Sequence, residues 1–345
     1  MTLTRRRALA LAAGTLASPL ASPVIAQARR KVVLGQPSEG FIYMALYVAR
    51  RLDFFAEEGI DAEVVTFQRG GAEALAALMG GQADIYVGNP GLQLRAQEKG
   101  MPIRSFGAVQ TQFGTDLVIS AEAAGRTGLD ALNDPQAKAS TLKGLTIAVL
   151  GSGSLTDLMV RHVARFGGLN PDRDLTITPI GGGGNMLAAF GQRRIDGYAL
   201  SAPTSTTGVY RFGGQKLFDF ARGEYPPFRN FLFYTLIARE DWITGKAELA
   251  QKVVRATWKG LRTLKMDPDK AREAVRTFFP NVPATEFDAA WTASLPSYPE
   301  TPRITEAGMR QNYEFLREGE GKPVEVALER SFTNAAVDAV APSMT

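Results

Sequence analysis

The chain has 345 residues, of which 45% are hydrophobic and 21% are charged, and its formal net charge at pH 7 is +4. This composition is typical of a globular protein that is long enough for two lobes of about 100–200 residues each. The sequence contains no cysteine and a single histidine, His162. A thiolate nucleophile, an iron–sulfur cluster, a cysteine-ligated zinc, a disulfide framework and a multi-histidine metal site are therefore excluded, and no cofactor is predicted.

The N-terminus has the pattern of an export signal. Three arginines at positions 5–7 precede an apolar run that ends near Ala17, and small residues around Ala26 and Ala28 suit a cleavage site. We therefore expect a signal peptide over residues 1–28, through either the general or the twin-arginine route. Its loss would remove three arginines and no acid, which lowers the net charge to +1. A nucleic-acid or anionic-membrane role then has little support.

The mature chain begins with a strand–helix–strand unit. KVVLGQ, residues 31–36, is a short apolar run that suits a buried strand. Ser38 is a suitable N-cap for the helix that follows, and Gly59 ends that helix. Residues 60–67 alternate as a second strand. This order of elements predicts an α/β arrangement from the start of the chain.

The stretch VTFQRGGAEALAALMGGQADIYVGNP, residues 65–90, has an order of parts that the chain repeats. It contains a Gly-Gly turn, a short helix, a Gly-Gly stop and a strand that begins at Asp84. IGGGGNMLAAFGQRRIDGYALSAP, residues 180–203, follows the same order with Asp196 in the equivalent place. The flanks also match, because Ser38 and Ser154 each open a helix three residues after a glycine. Two such units, each of about 55 residues, predict two parallel α/β sheets.

After residue 220 the alternation of predicted strands and helices ends, and most of the remaining chain is predicted to be helical. One more strand, residues 230–239, precedes a series of helices with apolar residues at three-to-four spacing. We predict a two-lobe clamshell whose parallel-sheet lobes are joined by two crossings. Lobe 1 would comprise residues 29–113 and 233–345, and lobe 2 residues 114–232. A ligand that closes such a hinge is a known mode of switching.

Four loops are predicted to face the cleft between the lobes: Ser38–Phe41, Gly70–Ala72, Gly151–Thr156 and Gly181–Asn185. Each lies at a helix N-terminus and at the carboxyl end of a strand, where free backbone N–H groups favour an anion. Amides at Asn89 and Gln112 could orient polar groups, and Tyr198 could line a pocket for an organic ligand. Ordinary caps, turns and packing are the alternative for each loop and side chain taken singly.

Enzyme-like groups have little support in this arrangement. Asp84 and Asp196 stand at the starts of their strands, away from the cleft, so we interpret them as structural. His162 lies about two turns into its helix and is also interpreted as structural. GSGSLT lacks the Gly-Lys of a phosphate loop, and no Gly-x-Ser-x-Gly elbow is present.

Three segments carry a resemblance to a known family: EGFIYMALYVARRLDFFAEEGIDAEVV, GGAEALAALMGGQADIYVGNP and LKGLTIAVLGSGS. They resemble the periplasmic substrate-binding proteins of ABC importers, in the group for nitrate, taurine, sulfonates and thiamine-pyrimidine precursors. The resemblance reaches to about Arg239 and implies a type II binding-protein clamshell. It also implies ligand contacts, which would fall on Ser38, Glu39, Gly40, Phe41, Gly71, Ala72, Asn89, Ser152, Gly153 and Ser154.

The sequence therefore predicts an exported, periplasmic solute-binding protein rather than an enzyme. It would capture a small organic anion, such as a sulfonate or an aromatic acid, as a monomer and present it to an ABC permease. An enzyme of thiamine-pyrimidine metabolism and a ligand-sensing receptor domain remain alternatives. The enzyme branch that resembles this family depends on a cysteine-rich motif, which this chain lacks. The predicted ligand-binding residues are Ser38, Glu39, Gly40, Phe41, Gly71, Ala72, Asn89, Gln112, Ser152, Gly153, Ser154, Thr156, Gly184, Asn185 and Tyr198.

Overall fold

Two five-stranded sheets organise the computed structural model, which describes residues 28–67 and 70–344. The first sheet has the order β2-β1-β3-β10-β4 and the second the order β7-β6-β8-β5-β9. The strands of the first are β1 (Arg30–Gln36), β2 (Ile60–Thr66), β3 (Ile85–Gly88), β4 (Ile103–Gln110) and β10 (Tyr234–Arg239). The strands of the second are β5 (Thr115–Ile119), β6 (Thr146–Val149), β7 (Thr176–Pro179), β8 (Gly197–Ser201) and β9 (Gln215–Lys216). The predicted signal peptide lies almost wholly outside the described residues.

Both sheets are mixed, whereas parallel sheets were predicted, so the predicted strand direction holds for only part of each sheet. β10 runs antiparallel to β3 and β4, and β5 runs antiparallel to β8 and β9. The reason lies in the crossings between lobes. Thr235 at the start of β10 pairs with Gly88 at the end of β3, and Thr115 at the start of β5 pairs with Ser201 at the end of β8. Each strand that follows a crossing therefore enters its sheet from the cleft end.

Helices cover the faces of both sheets and form most of the C-terminal third. The helices are α1 (Met44–Arg51), α2 (Phe54–Glu57), α3 (Gly71–Met79), α4 (Pro90–Glu98), α5 (Ala121–Thr127), α6 (Pro135–Ser140), α7 (Leu155–Phe166), α8 (Gly183–Gly191), α9 (Thr204–Phe212), α10 (Glu240–Gly245), α11 (Ala247–Met266), α12 (Pro268–Arg276), α13 (Ala284–Ser294), α14 (Glu306–Glu320), α15 (Leu328–Ser331) and α16 (Ala335–Val340). A 3-10 turn, Phe41–Tyr43, precedes α1. Among the described residues, no helix combines the length and the apolar character that crossing a bilayer requires.

The repeated aspartates make the same bond in both lobes. The Asp84 carboxylate accepts a hydrogen bond from the Val33 amide of β1 at 3.0 Å, and Asp196 accepts one from the Thr146 amide of β6 at 2.9 Å. Asp84 also accepts from the Trp242 indole. Each carboxylate thus ties the start of one strand to its parallel neighbour, at the end of the sheet away from the cleft, as the structural interpretation expected.

An aromatic cluster binds the two crossings to each other. The first crossing runs over about residues 110–115 and the second over about residues 225–233. Phe113, in the first crossing, stacks on Phe228 of the second crossing with ring centroids 4.1 Å apart. The same ring contacts Phe231 and Phe233, and all four side chains are fully buried. The crossings therefore form one packed unit between the lobes. The exact lobe boundaries, residues 29–113, 114–232 and 233–345, stay a prediction.

Two C-terminal helices bridge the lobes. α13 packs on α9, and α14 packs on both α4 and α7. α7 leads from β6 outward to β7, whereas α8 returns from β7 across to β8. Because such crossovers are right-handed, these two helices cover opposite faces of the second sheet, and α9 packs beside α8. Lobe 2 is consequently held by α13 on one face and by α14 on the other.

Candidate functional site

A small cavity lies between the two sheets, at the carboxyl ends of their strands. Its volume is about 10 Å³, which is about the room that one water molecule needs. The lobes touch around it, because the Phe41 amide of lobe 1 donates to the Ala202 carbonyl of lobe 2 at 2.7 Å. The cavity is lined by Pro37, Ser38, Ile42, Gly71, Tyr86, Leu92, Thr115, Leu150, Ser154, Leu155, Thr156, Leu200, Ser201 and Tyr234.

Two helices begin at this cavity. Ser154 caps α7, since its hydroxyl accepts from the Asp157 amide, and it also shares a 2.9 Å hydrogen bond with the Thr156 hydroxyl. On the opposite side α3 begins at Gly71, and no side chain caps its first turn. The free N–H groups and the dipole of a helix N-terminus both favour negative charge. The cavity therefore has an anion-favouring helix end on each lobe.

The approach of lobe 1 to this space depends on glycine. An added Cβ at Gly71 would come within 2.5 Å of the Tyr86 hydroxyl, and one at Gly40 within 2.4 Å of the Ser201 hydroxyl. Gly40 has φ 167, an extended value that any residue adopts. The requirement for glycine at both positions is therefore one of space.

Tyr86 and Tyr234 contribute phenols to the lobe 1 side. Burial raises the pKa of each phenol well above its usual range. A raised phenol pKa means that the hydroxyl keeps its proton across the physiological range and can act as a hydrogen-bond donor. It also means that neither side chain is suited to act as a general base.

Ser201 provides a buried hydroxyl with no hydrogen-bond partner among the described residues. The residue is 1% exposed and ends β8 beside Thr115 of β5, which pairs with it in register. A buried polar group without a partner is rare, because leaving it unpaired costs about 1–3 kcal/mol. The hydroxyl is thus available to a bound molecule in the cavity.

The lining of the cavity contains hydroxyl, aliphatic and glycine groups, and none of the fourteen lining side chains is charged. Among the described residues no group of three or more histidine, aspartate or glutamate side chains could hold a metal ion. This chemistry suits recognition by hydrogen bonds and apolar contact. It offers no paired carboxylates or histidine for acid–base work.

The structure brings four of the fifteen predicted residues to the cavity wall: Ser38, Gly71, Ser154 and Thr156. Two more lie at the contact between the lobes. Gly40 abuts Ser201, and Phe41 donates its amide across the contact while its ring packs 5.0 Å from both Phe279 and Phe287. The Phe41 ring is therefore a core side chain.

Asn89 belongs to the support of the crossing rather than to the cavity wall. Its amide donates to the Phe233 carbonyl at 3.0 Å and to Asn312 on α14 at 3.2 Å, and its carbonyl accepts from the Gly91 amide. Both the amide nitrogen and the carbonyl oxygen of the Asn89 side chain are thus engaged by protein groups. The residue fixes lobe 1 to the second crossing and to α14.

The remaining predicted residues also lie outside the wall. The Gln112 amide pairs with Asn230 in the other crossing, and the buried Tyr198 hydroxyl donates to the Thr204 carbonyl at 2.8 Å. The other six are exposed to solvent: Glu39, Ala72, Ser152, Gly153, Gly184 and Asn185. In this arrangement of the lobes, these eight residues are separate from the cavity.

Thr115, Ser201, Tyr86 and Tyr234 line the wall but were not predicted. For Ser201 a signal existed in the repeat, which aligns Ser-Ala-Pro at 201–203 with Gly-Asn-Pro at 88–90. Both tripeptides end a strand at the cleft. Thr115 gave no such signal, because only its antiparallel register opposite Ser201 brings it to the cavity.

His162 lies away from the cavity, as predicted. Its ring stacks on Phe315 of α14 at 5.4 Å, and its two nitrogens contact the Tyr225 hydroxyl at 2.9 Å and the Glu318 carboxylate at 3.1 Å. The hydrogen bond from His162 lowers the pKa of Glu318. The histidine therefore connects α7 to α14.

Comparison with known proteins gives one matching family and several solved relatives. The family model described as NMT1/THI5 like matches residues 41–271. The Bacillus subtilis protein YtlA, whose name marks it as a candidate binding protein, is 24% identical over 233 residues. That match covers 66% of this chain and 64% of YtlA, so the chain spans less than two thirds of this relative.

Three solved structures have a similar fold. A protein of Bordetella bronchiseptica RB50 is 22% identical with a TM-score of 0.78, over 93% of this chain and 99% of that one. The ligand-binding component of an ABC-type import system from Staphylococcus aureus, with zinc bound, is 14% identical with a TM-score of 0.69, over 90% and 98%. The periplasmic aliphatic sulphonate binding protein SsuA of Escherichia coli is 17% identical with a TM-score of 0.65, over 89% and 99%. The predicted two-lobe α/β binding-protein fold is confirmed.

Proposed function

This chain belongs to the NMT1/THI5-like family, and on that premise we propose that it is a solute-binding protein of an ABC importer. The family resemblance predicted from the sequence is thereby confirmed. The protein would be exported to the periplasm, capture its ligand between the lobes and present it to a membrane permease. The Staphylococcus aureus protein is the ligand-binding component of an import system and the Escherichia coli protein is a periplasmic binding protein, and their similar fold supports this proposal. A monomeric state stays a prediction.

The observation that carries the proposal is a cavity whose wall combines hydroxyls from both lobes with no charged side chain. Ser38 and Tyr86 come from lobe 1, and Thr115, Ser154 and Ser201 come from lobe 2. A ligand that accepts hydrogen bonds from both sets would hold the lobes together. Small ligands gain affinity in this way when a few convergent polar groups fix them in a mostly apolar site.

The chemistry of the wall favours a small organic anion without a cationic group. A carboxylate, sulfonate or nitrate head group accepts hydrogen bonds and suits the N-termini of α7 and α3. Leu92, Leu150 and Leu200 would contact an apolar body. No carboxylate lines the cavity, so an ammonium group would be desolvated without a partner, which is costly. A zwitterion of comparable size should therefore bind more weakly than a simple anion.

An enzyme of thiamine-pyrimidine metabolism is the second candidate, and a sensing receptor domain is the third. The wall offers an enzyme no base, since its ionisable side chains are phenols with a raised pKa. A sensor would use the same capture step as an importer. Binding therefore distinguishes the first candidate from an enzyme, and transport assays would distinguish it from a sensor.

A thermal-shift screen tests the proposed ligand class. Ethanesulfonate, nitrate and benzoate would be compared with the zwitterion taurine and with a neutral aminopyrimidine. A ligand of the native state raises Tm in proportion to RT ln(1 + [L]/Kd), so a simple anion at about 100 times its Kd should add about 2.7 kcal/mol of stability. A response to taurine or the aminopyrimidine alone would contradict the proposed class.

Substitution of Ser154 tests the location of the site. Ser154→Asp retains a good N-cap for α7 but adds a negative charge at the cavity, so it should weaken anion binding by at least about tenfold. Ser120→Asp is the matched control, because Ser120 caps α5 away from the cavity. It should leave the affinity unchanged. Equal affinity in wild type and both variants, measured by calorimetry, would place the anion elsewhere.

A further inference from the structure

The buried carboxylate of Glu286 makes a contact from one lobe to the other. It lies in the first turn of α13, among the C-terminal helices assigned to lobe 1, and is 5% exposed. Its two oxygens accept hydrogen bonds from the Thr207 hydroxyl at 2.7 Å and from the Arg211 guanidinium at 2.8 Å. Both partners belong to α9 of lobe 2. The two helices are thus joined by a charge-assisted contact on both carboxylate oxygens.

The surroundings of this contact connect it to the cavity. Phe287, the next residue, packs on the ring of Phe41, whose amide donates across the contact between the lobes. α9 begins at Thr204, three residues after Ser201. The same segment of lobe 2 therefore supplies a cavity hydroxyl at one end and the partners of Glu286 at the other. A movement of α9 relative to lobe 1 would therefore change the position of the cavity hydroxyl and break the contact with Glu286.

We propose that Glu286, Thr207 and Arg211 form a latch that stabilises the closed arrangement of the lobes without touching the ligand. The proposal rests on the two-lobe capture proposed above. When the lobes part, Glu286 loses both donors, and a carboxylate that is nine-tenths buried is left to be rehydrated. When they close, the pair reforms beside the cavity. Glu286 is therefore a positioning residue. It raises the fraction of molecules in the closed arrangement, in which the cavity hydroxyls of both lobes face the same ligand.

The latch predicts an effect of Glu286 that is visible without any ligand. The sequence has no cysteine, so thiol-reactive spin labels would attach only at introduced cysteines. Ala76 in α3 and Ala188 in α8 are exposed and lie on different lobes. Spin labels on Ala76→Cys and Ala188→Cys would report the distance between lobes by double electron–electron resonance. The wild-type background should show a population at the short distance of the closed arrangement.

Glu286→Gln in this background should lower the ratio of short to long distances by about three- to tenfold. The effect is smaller than for a fully buried ion pair, because the Arg211 side chain is 48% exposed and solvent screens the contact. Arg211→Gln, which acts from the more exposed side of the pair, should shift the ratio in the same direction. Asp288→Asn is the matched control. Asp288 is also on α13, but its partner Arg272 belongs to the same C-terminal helical region. It should leave the distribution unchanged.

Two outcomes would overturn the latch. One is a wild-type distribution without the short distance. The other is a folded Glu286→Gln or Arg211→Gln protein with the wild-type distribution, even if its Tm has fallen, because that result would assign the contact to static stability alone. Since no ligand is added, either result is independent of whether the anion screen succeeds. The latch and the proposed ligand class can therefore fail separately.

Discussion

Gly40 is a residue at which lobe 1 abuts the cavity hydroxyl of Ser201. The space between them does not admit a methyl group, since an added Cβ would lie 2.4 Å from the hydroxyl oxygen and 3.0 Å from the Ala202 carbonyl. The second of these atoms is backbone, which cannot rotate away. A side chain at this position would therefore hold the lobes apart rather than distort lobe 1 itself.

Gly40→Ala should weaken anion binding while leaving the fold intact. We expect a loss of about 1–3 kcal/mol in binding free energy, the usual cost of overpacking, and little change in Tm without ligand. Isothermal calorimetry and thermal unfolding measure the two quantities. Gly125→Ala is the matched control, because a Cβ there has no atom within 4 Å. A wild-type affinity in Gly40→Ala would show that closure tolerates a wider gap.

The same residues show what a sequence can predict about a site. The repeat identified Ser38, Gly71 and Ser154, because a residue in the turn after a parallel strand must lie at the carboxyl edge of the sheet. The predicted N-cap role of Ser38 was wrong, since the 3-10 turn Phe41–Tyr43 follows Gly40 and no side chain caps it. It did not separate these from Ala72 or Ser152, since a position in a turn does not fix the direction of the side chain. Side-chain direction depends on packing between the lobes, which local patterns do not encode.

At the scale of elements, α14 binds both lobes through three kinds of contact. Its Asn312 pairs with Asn89, its Phe315 stacks on His162, and its Glu318 pairs with the same histidine. The first contact belongs to lobe 1 and the other two to lobe 2. α14 therefore opposes separation on the face of the molecule that α13 does not cover.

The Glu318 contact predicts a pH dependence of stability. The hydrogen bond from His162 lowers the pKa of Glu318 in the folded state below the 4.5 of the free side chain. A lowered carboxyl pKa contributes stability above the unfolded pKa, and this contribution is lost as the pH falls through the folded value. Glu318 is about half exposed, so solvent screening limits the contribution to about 0.5 kcal/mol.

Glu318→Gln should thus be less stable than wild type at pH 7, and the difference in the free energy of unfolding should shrink as the pH falls below 4.5. Urea unfolding at pH 7 and at acidic pH measures this difference. Glu314→Gln controls for the removal of one exposed acid from the same helix, where it pairs with Arg317. A difference for Glu318→Gln that persists unchanged at the lower pH would contradict the assigned cause. The expected difference is small, so both variants need measurement in one denaturant series.

Element order was predictable from the sequence, but strand direction was predictable only in part. Alternating strands and helices identified the parallel units correctly, as β1 with β2 and β6 with β7 show. β5 and β10 are antiparallel because each enters from a crossing, and the apolar pattern of a strand is the same in either direction. The direction of such a strand depends on where the chain crosses from one lobe to the other, which no local sequence pattern shows.

At the scale of the whole molecule, the proposed capture requires the lobes to separate before a ligand enters, because the cavity between them holds only about 10 Å³. The aromatic cluster around Phe113 joins both crossings, so the separation should occur as a rotation about this cluster rather than by unfolding of either crossing. A ligand with acceptors for both lobes then shifts the molecule toward the closed arrangement.

Small-angle scattering should detect this shift. A saturating anion from the screen should lower the radius of gyration, because hinge closure brings the lobes together, with no change in molecular mass. Ser154→Asp at the same anion concentration provides the unliganded control. An identical radius with and without a tightly bound anion would mean that the lobes do not move on binding.

The mixed strand order of lobe 1 has a consequence for synthesis. The second sheet is built from one continuous segment, β5 to β9, so it can complete its strand pairing as soon as residue 216 has been made. The first sheet cannot complete its pairing then, because its neighbour for β4 is β10, which ends at residue 239. The isolated bridge from Ser105 of β4 to Phe332 forms later still. During translation from the N-terminus, the middle of the chain can therefore fold before the beginning does. Until β10 arrives, the edge of β3 is open, and that interval is when this chain is most exposed to mispairing.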